Sequence, residues 1–327
     1  MSVLVTGGAG YIGSHTVRLL RESGYDVVAF DSLEAGHRAA VIDVPLVQGD
    51  VGDEDTVRRT VEKFDVDSVI HFAAYKSPAE SMLKPERYFE NNVAKSARLI
   101  GAMRSAGVDR FVFSSTCAVY GSADDLPVAE GAPVKPESPY GESKAMLERI
   151  LSWFDFCSEL RSVSLRYFNA AGAWHDGSIG EDWTVTINLV PLVMKAALGQ
   201  SGPLQVFGTD YPTPDGTPIR DYVHVIDLAD AHKKALEYLE RGGSSTVVNL
   251  GTGLGSSVFE VLSAAERIIG RQIPHELTAQ RPGDPVALFA DNQRARELLG
   301  WKPQLGLDEI LSSAWSWHSN HLQGYGD

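Results

Sequence analysis

Short runs of apolar residues alternate with longer amphipathic stretches in the first half of the chain. Runs this short, ended by small or polar residues, are typical of strands that are buried on both faces. They predict strands at residues 3–5, 27–30, 46–47, 68–72, 111–113 and 163–165. The stretches between them are long enough for helices, among them residues 86–105 and 140–156. Repeated strand–helix units predict an α/β fold: a Rossmann-type doubly wound parallel sheet with helices on both faces.

The pattern becomes less regular in the second half of the chain. Segments rich in Gly, Pro, Asp and Thr indicate loops at residues 170–183 and 208–218. A smaller mixed α/β lobe is predicted from helices near 189–198, 258–269 and 292–299 and a strand at 204–207. A helix at 225–240 and a strand at 246–250 would return to the large sheet. We therefore expect a nucleotide-binding domain at 1–168, joined by 225–250, and a second lobe formed mainly by 169–327.

Composition and charge narrow the class of protein. The chain has 327 residues, of which 43% are hydrophobic and 22% charged, as in ordinary globular proteins. A formal net charge of -14 offers no basic field to nucleic acid or to an anionic membrane. The two cysteines, Cys117 and Cys157, lack metal-ligand spacing, so we expect no disulfide and no metal. Because the first strand begins near Ser2 and no apolar run could span a membrane, we expect a cytoplasmic protein without a signal sequence.

A glycine-rich turn follows the first predicted strand and opens the first predicted helix. Its sequence, Gly8-Ala9-Gly10-Tyr11-Ile12-Gly13, has the spacing G-x-G-x-x-G, and Gly7 extends it. Glycines allow a tight turn and the close approach of a pyrophosphate to the N-terminus of a helix. Asp31 ends the second predicted strand, where an acid binds the ribose hydroxyls of NAD and repels the 2′-phosphate of NADP. The turn and the acid together predict a site for NAD.

Tyr140 and Lys144 are four residues apart in a predicted helix, so their side chains lie on the same face. An ammonium group beside a phenol favours the phenolate and lowers the phenol's pKa. We therefore expect Tyr140 to act as a general base that removes a proton from an alcohol while NAD takes the hydride. Thr116, at the end of a predicted strand, would orient the alcohol, and Ser115 is its nearest rival for that role.

Other polar residues are less decisive. Arg220 and Arg281 could clamp a diphosphate through charge-assisted hydrogen bonds, or could equally form surface ion pairs. Histidines without a second ligand at metal spacing are expected to be structural or surface residues rather than ligands, namely His71, His175 and His224. Cys117 is expected to fill space in the core rather than to act as a nucleophile.

Several motifs together resemble the UDP-glucose 4-epimerase (UDP-galactose 4-epimerase) family of the extended short-chain dehydrogenase/reductase superfamily. The similarity runs from Val3 to about Trp301. The glycine turn and the Tyr–Lys pair are common to the superfamily. More specific to the epimerases are the segments at 167–173, 206–213, 220–225 and 281–284.

The resemblance implies three sets of functional residues. The catalytic set would be Tyr140, Lys144 and Thr116. The NAD site would be formed by Gly7, Gly10, Tyr11, Ile12, Gly13, Asp31, Ser32, Asp50, Val51, Phe72, Ala73, Ala74, Lys76, Asn91, Ser114, Tyr140, Lys144 and Phe168. A UDP-hexose would be held in the second lobe and at the catalytic set by Lys76, Thr116, Tyr140, Asn169, Asn188, Leu189, Gln205, Phe207, Arg220, Tyr222, Arg281 and Asp284.

The implied reaction is a reversible inversion at C4 of a UDP-hexose, between UDP-glucose and UDP-galactose, through a 4-keto sugar. Related sugar-nucleotide dehydratases carry Asp-Glu where this chain has Cys117-Ala118, which argues against elimination of water. Some relatives carry a tyrosine beside the hexose where this chain has Leu288, so N-acetylated sugars are a hypothesis. The alternatives are an epimerase of another UDP-sugar, a net oxidoreductase and a non-catalytic protein on the same fold. The resemblance also suggests a homodimer built by the helices at 86–105 and 140–156.

Overall fold

A seven-stranded parallel sheet forms the centre of the larger part of the molecule. The computed structural model describes residues 1–123, 125–184, 186, 188–281 and 284–326. The sheet has the order β11-β6-β5-β4-β1-β2-β3. Its strands are β1 (Ser2–Thr6), β2 (Asp26–Asp31), β3 (Leu46–Gln48), β4 (Val66–His71), β5 (Arg110–Ser114), β6 (Arg161–Tyr167) and β11 (Thr246–Leu250). The prediction of a Rossmann-type parallel sheet is therefore confirmed.

Helices cover both faces of this sheet, which explains why its strands are apolar throughout. Every residue of β1 is buried. One core cluster lies between the sheet and helices that include α1 (Tyr11–Glu22) and α8 (Val225–Glu240). A second cluster lies on the opposite face, against α2 (Glu54–Lys63), α5 (Ser96–Ser105) and α6 (Pro139–Ser158). A sheet that is covered on both sides needs continuous apolar runs rather than alternation.

The strand order reverses beside β1, and this reversal determines where a ligand can bind. β1 pairs in parallel with β2 on one side and with β4 on the other. After β1 the next strands are therefore added towards one edge of the sheet, and after β4 they are added towards the other edge. A crevice opens at the carboxyl ends of the strands at such a switch point. The glycine turn follows β1, Asp31 ends β2, and residues 72–74 follow β4, so all three border this crevice.

Between β4 and β5 the chain forms a broken helical segment. It contains α3 (Pro78–Leu83) and α4 (Pro85–Phe89), a π-helical stretch at Glu90–Lys95, and then α5. The sequence predicted one helix over 86–105, which is correct in extent but does not anticipate the π-helical stretch. Such stretches often occur at functional sites. Here it carries Asn92, whose amide bridges the backbone of Tyr75 and the hydroxyl of Ser143 in α6.

The smaller lobe is mixed, as predicted, and contains short strands in three small sheets. They are β7 (Asn169–Ala171) with β10 (Tyr222–His224), β9 (Ile219–Arg220) between β12 (Ser256–Ser257) and β14 (Ala287–Leu288), and β8 (Leu204–Phe207) with β13 (His275–Thr278). The lobe's helices are α7 (Leu189–Leu198), α9 (Val258–Ile269) and α11 (Leu307–Asn320). Helix α10 (Gln293–Leu299), which was predicted for this lobe, packs instead against α8 and β11 in the core of the large sheet. Helices α7, α9 and α11 share one apolar core. The sequence analysis had not identified α11.

In the described part of the chain, no helix is long and apolar enough to cross a membrane. Nor do the described residues contain a group of three or more His, Cys, Asp or Glu side chains that could hold a metal ion.

Buried histidines should make the fold sensitive to acid. Burial lowers the pKa of five of them, to about 4 or about 3: His15, His71, His224, His232 and His318. In the unfolded chain a histidine titrates near 6.5. Between these values the unfolded state binds more protons, so the free energy of unfolding should fall as the pH falls from about 6.5 towards 4.

His318→Phe tests this expectation with little change in packing, because the His318 ring stacks on Trp183 at 4.3 Å between centroids. Urea unfolding of wild type and variant, measured at several pH values, should give a less steep loss of stability for the variant below pH 6.5. The expectation is wrong if the two curves run parallel across this range.

Candidate active site

The glycine turn forms a cradle that side chains would fill. A Cβ atom on Gly7 would lie 2.6 Å from the backbone nitrogen of Ala73, and one on Gly13 would lie 2.0 Å from the carbonyl oxygen of Gly7. Gly7 also has a positive φ of 70°. Helix α1 begins at Tyr11, with Gly10 as its N-cap and no side chain capping the first turn. The free amide groups at this helix N-terminus can bind an anionic group such as a pyrophosphate.

Asp31 is buried at the end of β2 with its carboxylate facing the turn. One carboxylate oxygen accepts from the amide of Ala9, and the other accepts from the amide of Leu33. These bonds orient the side chain and leave acceptor capacity on both oxygens. A buried acid held in this way beside a helix N-terminus fits a ribose with two free hydroxyl groups. The cradle and the acid together therefore fit a dinucleotide such as NAD.

The other residues predicted for the NAD site lie along the same crevice. Phe72, Ala73 and Ala74 follow β4, and the Phe72 amide donates to the carbonyl of Thr6 in β1. Ser32 and Asp50 lie at its exposed edge, where Lys95 pairs with Asp50. Other predicted residues are on neighbouring elements: Val51, Lys76, Asn91, Ser114 and Phe168.

Tyr140 and Lys144 lie in the first turns of α6, where the helix passes over the carboxyl end of β5. The helix begins after Ser138, whose hydroxyl caps the amide of Gly141, with Pro139 in the first turn. Both side chains are buried. The Lys144 ammonium donates to the carbonyl of Ser114 at 2.8 Å and lies over the Phe113 ring. The Thr116 hydroxyl is near enough to the Tyr140 phenol to influence its pKa, so the structure brings the three predicted catalytic side chains together.

The protein's own groups do not depress the pKa of Tyr140, and the expectation that they would is wrong. Burial raises the pKa of Tyr140 well above its ordinary value, although the nearby hydroxyl of Thr116 opposes that shift. Burial also lowers the pKa of Lys144 to about 7, while the negative charge of Glu148 raises it. Removal from water disfavours both charged forms, and this effect exceeds the attraction that the sequence spacing suggested.

Ser115, the rival of Thr116, is occupied elsewhere. Its hydroxyl donates to a carboxylate oxygen of Glu148 at 2.5 Å, about two helical turns along α6 from Tyr140. Thr116 instead accepts from the amide of Ala118 and keeps its hydroxyl beside Tyr140. Of the two hydroxyls, that of Thr116 is the one placed to touch a group bound at Tyr140.

A cavity of about 490 Å³ opens in the smaller lobe. Its walls combine apolar and aromatic surface with a few polar groups, which is typical of a site for a small organic ligand. Nine of the twelve residues predicted to hold the substrate line it: Asn169, Asn188, Leu189, Gln205, Phe207, Arg220, Tyr222, Arg281 and Asp284. The other three, Lys76, Thr116 and Tyr140, belong to the NAD crevice and the catalytic group.

Arg220 and Arg281 both border this cavity, but they are held differently. Arg220 pairs with Asp284 and also donates to the carbonyl of Ile219. Arg281 is exposed and lies over the ring of Phe207, with 3.7 Å between its central carbon and the ring centroid. A guanidinium stacked on an aromatic ring still directs its N–H groups outwards, where they can bind a phosphate. Pro282 and Gly283, the middle of this motif, lie outside the described residues.

The remaining histidines and Cys117 behave as expected of structural groups. His71 bridges the hydroxyls of Thr6 and Ser96. His224 accepts from the amide of Ile226 at the start of α8 and contacts Ser313. Cys117 packs beside Val119 and Phe168, and burial raises the pKa of its thiol to about 12, which leaves it a poor nucleophile.

Two polar clusters beside the site were not predicted from the sequence. Glu148 and Arg166 form a buried ion pair directly behind the catalytic residues. At the exposed edge of the crevice, Glu34 accepts from Tyr75 and Arg87, which joins the loop after β2 to the segment after β4. The spacing of Glu148, four residues after Lys144 on the same helix, was a signal for the first cluster. The second joins segments that are distant in sequence and gave no local signal.

A doubly wound sheet with a glycine-rich turn, an acid ending β2 and a buried Tyr–Lys pair defines the class of extended short-chain dehydrogenases/reductases. The model of the NAD dependent epimerase/dehydratase family matches residues 3–251 of the chain. The chain belongs to that family.

Within this family, the chain is similar over its full length to proteins named UDP-glucose 4-epimerase. The chain is 50% identical over 331 residues to a UDP-glucose 4-epimerase of Streptococcus mutans, with 100% of this chain and 99% of that protein covered. It is 46% identical to a UDP-glucose 4-epimerase of Lacticaseibacillus casei, again with 100% and 99% covered.

Solved structures extend the similarity to ligand-bound proteins. The UDP-glucose 4-epimerase of Stenotrophomonas maltophila, with bound NAD and formylated UDP-arabinopyranose, has a TM-score of 0.96 and 40% identity, covering 98% of this chain and 99% of that one. The UDP-Glc/GlcNAc 4-epimerase of Campylobacter jejuni has a TM-score of 0.86 and 37% identity, covering 98% and 99%.

Proposed function

We propose that this protein is an NAD-dependent epimerase that interconverts UDP-glucose and UDP-galactose by inverting C4 of the hexose. The observation that carries the proposal is the buried group of Thr116, Tyr140 and Lys144 beside a dinucleotide cradle. The chain is similar over its full length to proteins named UDP-glucose 4-epimerase. Epimerases of other UDP-sugars remain the alternative class, and the full-length similarity favours UDP-glucose.

NAD would be held by the residues that line the crevice. The first amides of α1 would bind the pyrophosphate, Asp31 the adenosine ribose, and Lys144 the nicotinamide ribose. Bound NAD⁺ supplies a hydride acceptor, and its positive charge favours an ionised phenol nearby. Since the cofactor ends each turnover unchanged, it needs no exchange with solvent.

Tyr140 would remove the proton from the 4-hydroxyl of the sugar and later return one to the 4-keto group. Thr116 would orient that hydroxyl, because its own hydroxyl lies beside Tyr140. Lys144 reinforces the phenolate through its charge, and its bond to the carbonyl of Ser114 holds it in place. Cys117 and Ala118, the next residues, provide neither the acid nor the base that elimination of water would require.

The UDP portion and the sugar would be held with different strength. In the cavity of the smaller lobe, Arg220 and Arg281 would bind the diphosphate, and the ring of Phe207 would contact apolar parts of the ligand. The 4-keto sugar has to turn over before the hydride returns to its opposite face. A firm anchor on UDP and a loosely held hexose satisfy both needs, whereas strong orientation of the sugar would block one direction.

The two functions divide along the chain. We assign NAD binding to residues 1–168 together with 225–250, and UDP-sugar binding mainly to 169–327. The pairing of β11 with β6 and the packing of α8 on α1 support the first assignment. The position of the cavity among residues 169–284 supports the second.

Tyr140→Phe should fold and retain NAD, because the ring stays in place, yet lose about 10²–10⁴-fold in kcat through loss of the base. Arg281→Ala is the contrasting variant and should mainly raise KM for UDP-galactose. Both kinetic constants are measured from the conversion of UDP-galactose without added NAD, followed over many turnovers. A Tyr140→Phe enzyme with near-normal turnover would remove Tyr140 from the role, and a stoichiometric single turnover by wild type would indicate a net oxidoreductase.

Leu288 leaves room for a larger sugar substituent. It lies in β14 beside Arg220 and packs against the cluster that contains Phe168 and Val119. We expect turnover of UDP-N-acetylglucosamine by wild type, and Leu288→Tyr should lower that activity while sparing UDP-galactose. No turnover of the N-acetylated substrate by wild type, in a preparation that converts UDP-galactose, would refute the hypothesis.

A homodimer and a cytoplasmic location complete the proposal. Trp153 and Phe156 of α6 are 64% and 81% exposed, and their rings contact each other at 6.1 Å between centroids. An apolar helix face of this kind suits a second copy of the chain. The two free cysteines, one of them exposed, suit the reducing compartment that a cytoplasmic location would provide.

The dimer can be tested directly. Analytical ultracentrifugation should show a dimer for wild type and a monomer for a Trp153→Lys, Phe156→Lys variant; a monomeric wild type would contradict the dimer.

A further inference from the structure

The loop that carries Thr116 is fastened on both sides to a buried ion pair. Glu148 of α6 and Arg166 of β6 pair with side-chain exposures of only 9% and 6%. On one side of Thr116, the hydroxyl of Ser115 donates to Glu148 at 2.5 Å. On the other side, Tyr120 accepts from Arg166 at 2.8 Å and donates to Asn249 in β11 at 2.7 Å. All of these contacts join elements that are distant in sequence.

Thr116 has little support of its own. Its side-chain oxygen accepts from the amide of Ala118, two residues along the same loop, and its hydroxyl meets Tyr140. Tyr140, by contrast, belongs to a 20-residue helix. The distance between the two catalytic oxygens therefore depends on how firmly the end of β5 is held against α6.

Two successive turns of α6 hold that strand end. Lys144 donates to the carbonyl of Ser114, and Glu148, one turn later, accepts from Ser115. The pair of contacts fixes the register between helix and strand in the way that a single contact could not. Arg166 holds Glu148 in place, because a buried carboxylate without a partner is costly.

We propose that Ser115 and Tyr120 are positioning residues for the epimerase reaction, which hold Thr116 against Tyr140 through the Glu148–Arg166 pair. The inference rests on the proposed role of Thr116 in catalysis. Neither residue touches the reacting atoms. Their effect on rate would come from geometry, since small misplacements of a catalytic group have large effects on kcat.

Ser115→Ala tests the proposal without leaving a buried charge unpaired. We expect kcat for UDP-galactose to fall about 5–20-fold, with an unchanged KM and an unchanged content of bound NAD. Ser68→Ala is the matched control: Ser68 is buried in β4 of the same sheet, and its hydroxyl has no hydrogen-bond partner among the residues that the structure describes. The control should keep kcat within about twofold of wild type. A purely structural role for Ser115 would lower the melting temperature and leave kcat at 25 °C unchanged, which would overturn the proposal.

A double-mutant cycle with Thr116→Ala separates this proposal from the proposed function. If Ser115 acts through Thr116, Ser115→Ala should cost little further kcat in the Thr116→Ala background. An equal loss in both backgrounds would overturn the positioning role while leaving the role of Thr116 intact. A Thr116→Ala enzyme with wild-type kcat would instead remove Thr116 from catalysis and the positioning role with it.

Tyr120→Phe provides a second, independent variant in case Ser115→Ala does not fold. It keeps the ring in its core cluster and removes only the hydroxyl between Arg166 and Asn249. We expect the same pattern: a lower kcat, an unchanged KM and no further loss in the Thr116→Ala background. Unaltered kcat in Tyr120→Phe would refute its part of the proposal.

Discussion

Lys144 places an ammonium group in the interior of the protein, and the arrangement of the site depends on how that charge is accommodated. Its hydrogen bond to the carbonyl of Ser114 joins α6 to the end of β5. The negative charge of Glu148, one turn further along, partly compensates for the burial. Without these partners, burial of the charge would cost several kcal/mol and the group would lose its proton. The charge therefore explains both the position of α6 and the presence of the ion pair behind it.

Burial of the site also explains why Tyr140 would need a bound cofactor to act as a base. Tyr140 is surrounded by protein, and burial raises the pKa of its phenol rather than lowering it. A phenol in such surroundings is a poor base until further positive charge is brought close to it. Coupling the ionisation of Tyr140 to a positively charged dinucleotide would restrict proton removal to the state in which a hydride acceptor is also in place.

The smaller lobe would add substrate recognition to a sheet that is already complete. Its short strands carry Arg220 and Tyr222 into the wall of the cavity, and β8 with the segment after β13 carries Phe207 and Arg281 into it. Division of the site between two lobes lets the dinucleotide crevice remain rigid while the sugar pocket varies. Specificity for one UDP-sugar over another would then depend on a few residues such as Leu288.

Local patterns in the sequence determined the alternation of strands and helices, the glycine turn with Asp31, and the Tyr140–Lys144 spacing. These depend on contacts between near neighbours along the chain and on backbone conformations that few residue types allow. The π-helical stretch at Glu90–Lys95, the pKa of Tyr140 and the partner of Ser115 were decided only by the tertiary structure. Each depends on groups far apart in sequence: Asn92 reaches Tyr75 and Ser143, Tyr140 is desolvated by several elements, and Ser115 meets Glu148 across the helix–strand junction. Desolvation and long-range hydrogen bonds arise from packing in three dimensions, so no local spacing could have revealed them.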